Sequence, residues 1–158
     1  MQFNIYAFGE SISGLQVYYA DGVASIGDPS QSNATDVLPV YFTASSTSSD
    51  QYTWTAHSAS EVQSAAVSDK VLYLANDGSD KVGFVSSSER SATDSKLTNV
   101  WWLYGRYVMT KIDGATFYAE PTSNGWYKLT WSTADQSGTN KKLVTLRTIE
   151  PSTNSVLA

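Results

Sequence analysis

Four Asp-Gly or Asn-Gly pairs constrain the fold of this 158-residue chain more than any other feature. They are Asp21-Gly22, Asp77-Gly78, Asp113-Gly114 and Asn124-Gly125. A two-residue hairpin turn of the common type needs positive φ at both central residues, and Asp-Gly and Asn-Gly pairs adopt it readily. Since β-type sequence flanks each pair, the four turns predict an antiparallel sheet whose consecutive strands form hairpins.

Short β-type runs recur about every 8–12 residues, separated by clusters of Gly, Asn, Asp and Ser. The runs that flank the turns are 15–19 with 23–26, 71–75 with 82–85, 107–112 with 116–120, and 116–120 with 126–131, and a final run covers 143–149. We therefore predict one all-β domain over residues 1–158, an antiparallel β-barrel or β-sandwich of about nine to eleven strands with at most one short helix.

One segment has the pattern of a helix. Ser58 and Glu61 have the spacing of a capping box, in which each side chain bonds to the backbone of the other residue. Val62, Ala65 and Ala66 follow at helical spacing. A helix of about two or three turns is one interpretation of this segment, and a Ser-rich loop is the other.

Composition excludes several classes of function. Ten basic and fifteen acidic residues give a net charge of −5 and a pI near 4.6, so we expect no nucleic-acid partner. The absence of cysteine excludes disulfides, thiolate catalysis and Cys-ligated zinc. No apolar stretch approaches the ~18 residues of a membrane span, and we expect neither a span nor a cofactor.

Side chains suited to catalysis or metal binding are few. His57 is the only histidine, and no Gly-x-Ser-x-Gly elbow accompanies it. Glu10 and Glu120 are the carboxylates that a glycoside hydrolase would use here, and a solvated strand end is the simpler interpretation of each. Residues 76–80 resemble the start of a calcium loop but lack the Glu at its twelfth position. We predict no catalytic residue, no metal site and no enzymatic activity.

Aromatic side chains are the remaining candidates for ligand binding, since the chain contains 5 Trp and 10 Tyr. Neighbours in a strand point to opposite faces, so Trp101 and Trp102 cannot both enter the core. Outward rings on a β surface can stack on the sugar rings of a glycan. We predict Trp54, Trp101, Trp102 and Tyr104 as candidate ligand-binding residues, and core packing is the alternative for each tryptophan.

Two features bear on the compartment. The chain is rich in hydroxyl side chains, with 24 Ser and 16 Thr, as extracellular proteins commonly are. Asn33-Ala34-Thr35 is an acceptor triplet for N-glycosylation, which makes Asn33 a glycosylation candidate. The first residues lack the charged flank and apolar core of a signal peptide. We expect a secreted protein whose signal is replaced by Met1, with a cytosolic protein as the alternative.

Several segments resemble a family of small secreted fungal proteins. Examples are Tyr-Ala-Phe-Gly at 6–9 and Trp-Tyr-Lys-Leu-Thr-Trp at 126–131, and the others are 14–22, 26–28, 82–84, 103–105, 117–122 and 144–147. Together they resemble the family that includes the hypersensitive-response-inducing protein elicitors of plant-pathogenic fungi, of the rice blast type. The resemblance brings no catalytic residues with it.

The resemblance implies a secreted elicitor or effector that aids infection. A plant cell-surface component or receptor would recognise it, and hypersensitive cell death and defence would follow without catalysis. The first alternative is a carbohydrate-binding, lectin-like module that uses surface aromatics, with a cell-wall glycan as its partner. A hydrolase that uses Glu10 or Glu120 is the second alternative.

Overall fold

The structure, a computed structural model, describes residues 2–45, 51–59, 65–89, 95–136 and 138–150. These ranges contain fourteen strands and three short 3₁₀ helices. The strands are β1 (Gln2–Phe3), β2 (Tyr6–Gly9), β3 (Ile12–Ala20), β4 (Val23–Ile26), β5 (Val37–Ala44), β6 (Trp54–Ser58), β7 (Lys70–Ala75), β8 (Val82–Ser86), β9 (Lys96–Leu97), β10 (Trp101–Tyr104), β11 (Tyr107–Thr110), β12 (Thr116–Pro121), β13 (Tyr127–Ser132) and β14 (Lys142–Arg147). The 3₁₀ helices cover Pro29–Gln31, Ala65–Val67 and Ser87–Glu89.

Ten strands form a closed ring of antiparallel pairs. Their order is β14, β12, β13, β4, β8, β7, β6, β5, β3 and β2, and β2 pairs with β14 to close the ring. Closure leaves no free sheet edge within the ring. The prediction of an all-β antiparallel domain is confirmed, and of its two alternatives the barrel is correct.

The β3–β4 hairpin joins two parts of this barrel. β3 and β4 pair with each other from Val17↔Ile26 to Ala20↔Val23, in addition to their neighbours in the ring. The strand pairs therefore trace two six-stranded circuits that share this hairpin, one through β2, β14, β12 and β13 and the other through β5, β6, β7 and β8. Buried side chains from both circuits belong to one apolar cluster, so the circuits enclose a continuous core.

Three of the four predicted turns close hairpins. Asp21 and Gly22 have φ values of 49° and 86° and connect β3 to β4. Gly78 connects β7 to β8, and Gly125 connects β12 to β13, each with positive φ. Only a residue that tolerates the left-handed region fits these positions at low strain, which explains the residue pairs found there.

The hairpin predicted at Asp113-Gly114 is wrong. β11 pairs with β10 and β14, while β12 pairs with β13 and β14, so the two strands expected to pair with each other both pair with β14. Gly114 still has a φ of 76°, but β11 and β12 run in the same direction, since both are antiparallel to β14. Turn chemistry is local, and it does not determine whether the flanking strands pair with each other or with a distant strand.

The segment predicted as a helix begins at the end of a strand and not at a helix N-cap. Ser58, the predicted N-cap, is the buried last residue of β6 and pairs with Val40 of β5. Ser60, Glu61 and Val62 lie outside the described residues, and Ala65–Val67 form a 3₁₀ turn. In the described ranges, no helix is long and apolar enough to cross a bilayer.

The β10–β11 hairpin lies outside the ring and is joined to it through β14. Four residue pairs hold β10 to β11, and Tyr107 pairs with Arg147 of β14. The Thr148 amide donates to the Arg106 carbonyl at 2.9 Å, and the Trp101 amide donates to the Tyr52 carbonyl at 3.0 Å. The hairpin is therefore fixed to the barrel at both of its ends.

Candidate binding face on the β10–β11 hairpin

Two of the four predicted ligand-binding residues belong to the core. Trp54 exposes 1% of its surface and Trp101 exposes none. Their rings stack with centroids 5.5 Å apart, and the Trp101 indole N–H donates to the Leu72 carbonyl at 2.9 Å. A fully enclosed ring cannot stack on an external ligand, so Trp54 and Trp101 are wrong as binding residues. The alternative, core packing, is correct for both.

The other two predicted residues lie on the outward face of β10. Trp102 is half-buried and Tyr104 is 67% exposed. Their rings meet edge to face, with centroids 6.2 Å apart. The prediction that Trp101 and Trp102 point to opposite faces is confirmed, because the strand alternates between a buried Trp101 and an outward Trp102.

The second strand of the hairpin extends this aromatic surface. Met109 pairs with Trp102, and Tyr107 pairs with Tyr104. Residues directly opposite in an antiparallel pair share a face of the sheet. Tyr107 and Met109 were not among the predicted residues, although period-two alternation on both sides of the Gly105 turn is a signal that points to them.

Arg147 of β14 completes the surface. It pairs with Tyr107, and its guanidinium carbon is 5.2 Å from the centre of the Tyr107 ring and 5.0 Å from that of Phe8 on β2. These distances are typical of cation–π contacts, which hold the guanidinium in place. The outward side chains of Trp102, Tyr104, Tyr107, Met109 and Arg147 are named the hairpin face below.

The Arg147 side chain has unused bonding capacity. Its Nε atom is buried and has no hydrogen-bond partner within the described ranges. In the same part of the chain, no carboxylate forms an ion pair with it, and the salt bridge there joins Lys141 to Asp80. Buried polar groups in proteins nearly always have partners, so an unpaired donor in a cation calls for an explanation.

A groove of about 460 Å³ opens beside the hairpin face. β11 and β12 both pair with the edge of β14 opposite to β2, β11 at Arg147 and β12 from Lys142 to Val144. The chain leaves this edge after Tyr107 and returns to it at Phe117, and the groove lies between the intervening segment and β14. Met109 and Leu143 contribute apolar walls, and Asp113 and Thr145 contribute polar groups.

Exposed apolar side chains are gathered in this region. Over the described residues, the large hydrophobic side chains with high exposure are Tyr104, Tyr107, Met109, Leu143 and Ile149. All of them lie in β10, β11 or β14 or just after β14. Single exposed apolar residues are ordinary, whereas a contiguous group marks a surface that contacts something else.

The polar side chains considered for catalysis lie on strands or in a turn of the barrel. The His57 ring lies on β6, shares a 2.8 Å hydrogen bond with the Thr43 hydroxyl and stacks on Tyr41 with centroids 4.9 Å apart. Glu10 is exposed in the turn after β2, and Glu120 lies opposite Lys128 in the β12–β13 hairpin. The absence of catalysis stays a prediction.

The segment considered for calcium forms the β7–β8 turn. The Asp77 carboxylate accepts the Ser79 amide at 3.0 Å, and Lys141 neutralises Asp80. The Ser79 amide and hydroxyl bonds lower the pKa of Asp77. Across the described ranges, no group of three or more His, Asp or Glu side chains is placed to hold a metal ion.

Asn33, the glycosylation candidate, lies in an exposed loop before β5. The loop is attached to the β3–β4 turn, because the backbone amides of Asp36 and Thr35 donate to the Asp21 carboxylate at 2.7 and 3.0 Å. These two hydrogen bonds, that of Asp36 first, hold the pKa of Asp21 below its usual value. The Asn33 side chain is thus accessible, and its glycosylation stays a prediction.

A scan against protein-family models, a search of curated proteins and a search of solved structures each found no match. The resemblance to fungal elicitors therefore stays a prediction from the residues that carry it.

Proposed function

We propose that this protein acts by recognition, and that the hairpin face is the surface that a partner contacts. In this proposal the protein is a secreted fungal elicitor, and the partner is a plant cell-surface component or receptor. The observation that carries the proposal is the gathering of exposed Tyr104, Tyr107, Met109 and Leu143 on one side of the barrel. The family resemblance supplies the biological setting.

The chemistry of the hairpin face suits recognition. Tryptophan, tyrosine and arginine dominate the binding energy of protein interfaces, and this face contains Trp102, Tyr104, Tyr107 and Arg147. The face is also preorganised, because Trp101 and Val108 on the reverse side of the hairpin are buried in the core. A rigid surface loses little conformational entropy when a partner binds.

Infiltration of purified protein into leaves tests this proposal. The wild type at micromolar dose is expected to cause local cell death, and the double variant Tyr104→Ser/Tyr107→Ser is expected to lose most of that response. Lys128→Gln, an exposed change on β13, is the matched control and is expected to act like the wild type. Absence of a response to the wild type, or an equal response to the double variant, contradicts the proposal.

A second candidate function is carbohydrate binding at the same face. The observation that favours it is the edge-to-face pair of Trp102 and the 67% exposed Tyr104, since aromatic rings on a β surface can stack on sugar rings. Titration with chitin oligomers and soluble cell-wall polysaccharides, followed by tryptophan fluorescence, tests it. A change that Trp102→Phe abolishes and Trp126→Phe preserves supports the assignment, and the absence of any change contradicts it.

A further inference from the structure

We infer that the hairpin face binds a carboxylated saccharide, in which the acid group pairs with Arg147 and the sugar ring stacks on the neighbouring aromatics. The ligand class is therefore a uronic-acid glycan. This inference rests on the proposed recognition function and assigns the partner a chemical identity.

Arg147 has unused bonding capacity that a carboxylate can meet. A guanidinium presents five N–H donors in a planar fork that matches a carboxylate. The Nε donor of Arg147 is enclosed, so a ligand would meet the terminal N–H groups of the fork, and within the described ranges no Asp or Glu forms an ion pair with the side chain. A ligand carboxylate supplies an acceptor for these terminal groups and the opposite charge in one group.

The guanidinium of Arg147 is also held in place. The guanidinium lies between two aromatic rings, 5.0 Å from the centre of Phe8 and 5.2 Å from that of Tyr107. Cation–π contacts orient the fork and leave its charge available, because a quadrupole does not neutralise a cation. Less side-chain entropy is therefore lost when the carboxylate binds.

Three side chains of the hairpin face form a row across the sheet. Tyr104, Tyr107 and Arg147 occupy successive strands and are directly opposite one another. Each step between opposite residues in an antiparallel pair is about 4.5–5.5 Å. A uronate has a ring with flat C–H faces and a carboxylate at its periphery. One such residue can therefore contact a tyrosine and reach Arg147, and further residues of the glycan cover Trp102 and Met109.

A saccharide fits this surface better than an acidic peptide. Peptides that bind sheets by main-chain pairing need an open strand edge. β10 is the terminal strand of the sheet, but a peptide paired with its edge would lie beside the rings of the hairpin face and not over them. The aromatic rings stand on the flat face of these strands, where stacking on a ring is available.

Because the chain as a whole is acidic, the binding of an anion depends on Arg147. The whole chain has a net charge of −5, so its overall field does not attract an anion. The other cation at this end of the hairpin is the exposed Arg106 in the turn. Affinity for a polyanion therefore depends on local pairing, chiefly at Arg147.

The experiment titrates the intact protein with oligogalacturonate and with the fully methyl-esterified form of the same oligomer, using calorimetry. Esterification removes the charge and keeps the sugar rings. We expect the wild type to bind the acid form at least about tenfold more tightly than the ester, because the ester lacks the charge that strengthens the hydrogen bonds to the guanidinium. Arg147→Gln is expected to lose about tenfold in affinity for the acid form, and Lys128→Gln, which removes the same charge from β13, is expected to bind like the wild type.

Two further variants keep the test valid if Arg147→Gln is poorly folded. Arg147→Lys keeps the charge and is expected to show intermediate affinity, since lysine lacks the planar fork. Tyr104→Ala changes a side chain that is 67% exposed, and it is expected to weaken binding without lowering stability.

Each contrary outcome has a distinct meaning. Equal binding of acid and ester, or unchanged affinity in Arg147→Gln, overturns the inference and leaves glycan recognition standing. Equal or tighter binding of poly-glutamate overturns it in favour of acidic peptides. Absence of binding to every oligosaccharide overturns the inference and the carbohydrate candidate together, while the leaf assay decides the elicitor proposal separately.

Discussion

Trp101 and Trp102 are adjacent residues of one type with opposite roles. Trp101 is enclosed between Trp54 and Phe117, with ring centroids 5.5 and 6.0 Å away, and its N–H is bonded to a backbone carbonyl. Trp102 is half-buried on the hairpin face beside Tyr104. The alternation of side chains in a strand separates a structural tryptophan from a surface one within two residues.

We expect Trp101→Ala to lower the free energy of unfolding by about 3–5 kcal/mol, because it removes a large enclosed ring and leaves a cavity. Trp102→Ala is expected to lower it by less than half as much, since part of that ring is already solvated. Urea unfolding of both variants measures the difference, provided that the denaturant slopes agree. Equal losses contradict the assignment of the two faces.

Asp21 links stability to pH. Its pKa is lowered from 3.8 by the Asp36 and Thr35 amides, so the folded state holds the proton less tightly than the unfolded state. The stability that follows is present above the unfolded pKa and is lost as the pH falls through the lower, folded pKa. Asp28 and Asp77 have pKa values lowered in the same direction by Ser30 and Ser79.

We expect Asp21→Asn to flatten this acid dependence. Asparagine tolerates the positive φ of 49° at this turn, so the backbone is retained while the titrating group is removed. Unfolding free energies measured between about pH 6 and pH 2 are expected to fall less steeply in the variant. Identical acid profiles for the two proteins contradict the role of Asp21.

At the scale of the element, the pairing of β4 with β8 depends on Gly83. The Phe84 amide donates to the Gly22 carbonyl at 3.0 Å, which brings the β3–β4 turn against β8. A Cβ atom added at Gly83 would lie 2.5 Å from that carbonyl oxygen. A side chain at this position therefore separates two backbone segments that belong to the ring.

Gly83→Ala is expected to destabilise the protein by about 1–3 kcal/mol, as overpacking against backbone does. Gly138→Ala is the matched control, because a Cβ there meets no heavy atom within 4 Å. Melting temperatures of the two variants provide the measurement. A Gly83→Ala protein as stable as the control contradicts the close approach of these strands.

The local turns of the fold can be predicted from the sequence, whereas the long-range strand pairing cannot. Three Gly-containing turns joined paired strands because hairpin chemistry is contained in a few adjacent residues. Asp113-Gly114 did not, because β14, which lies more than twenty residues later, pairs with both flanking strands. Alternation also limits Trp101 and Trp102 to opposite faces without deciding which of them enters the core. Long-range packing makes that choice, and it also buries Trp54.

The candidate site was predictable to a similar extent. Trp102 and Tyr104 follow from aromatic content and alternation. Arg147 could not be found in this way, because it is about forty residues away in the chain and reaches Tyr107 only through strand pairing. Binding surfaces built across strands combine residues whose relation is invisible until the register is known.

At the scale of the whole molecule, the core of the barrel and the exposed apolar side chains occupy different parts of the fold. One apolar cluster runs through both circuits of strands. The exposed apolar side chains in the described ranges gather at β10, β11 and β14. In the proposed function, the core supplies stability and the hairpin face supplies the contact with the partner.

Saturable binding of fluorescently labelled protein to isolated plant cell surfaces tests this central claim most directly. We expect the wild type and Lys128→Gln to bind alike, and Tyr104→Ser/Tyr107→Ser to bind about tenfold more weakly while remaining folded. A folded double variant that binds as tightly as the wild type contradicts the account, because recognition would then use another part of the barrel.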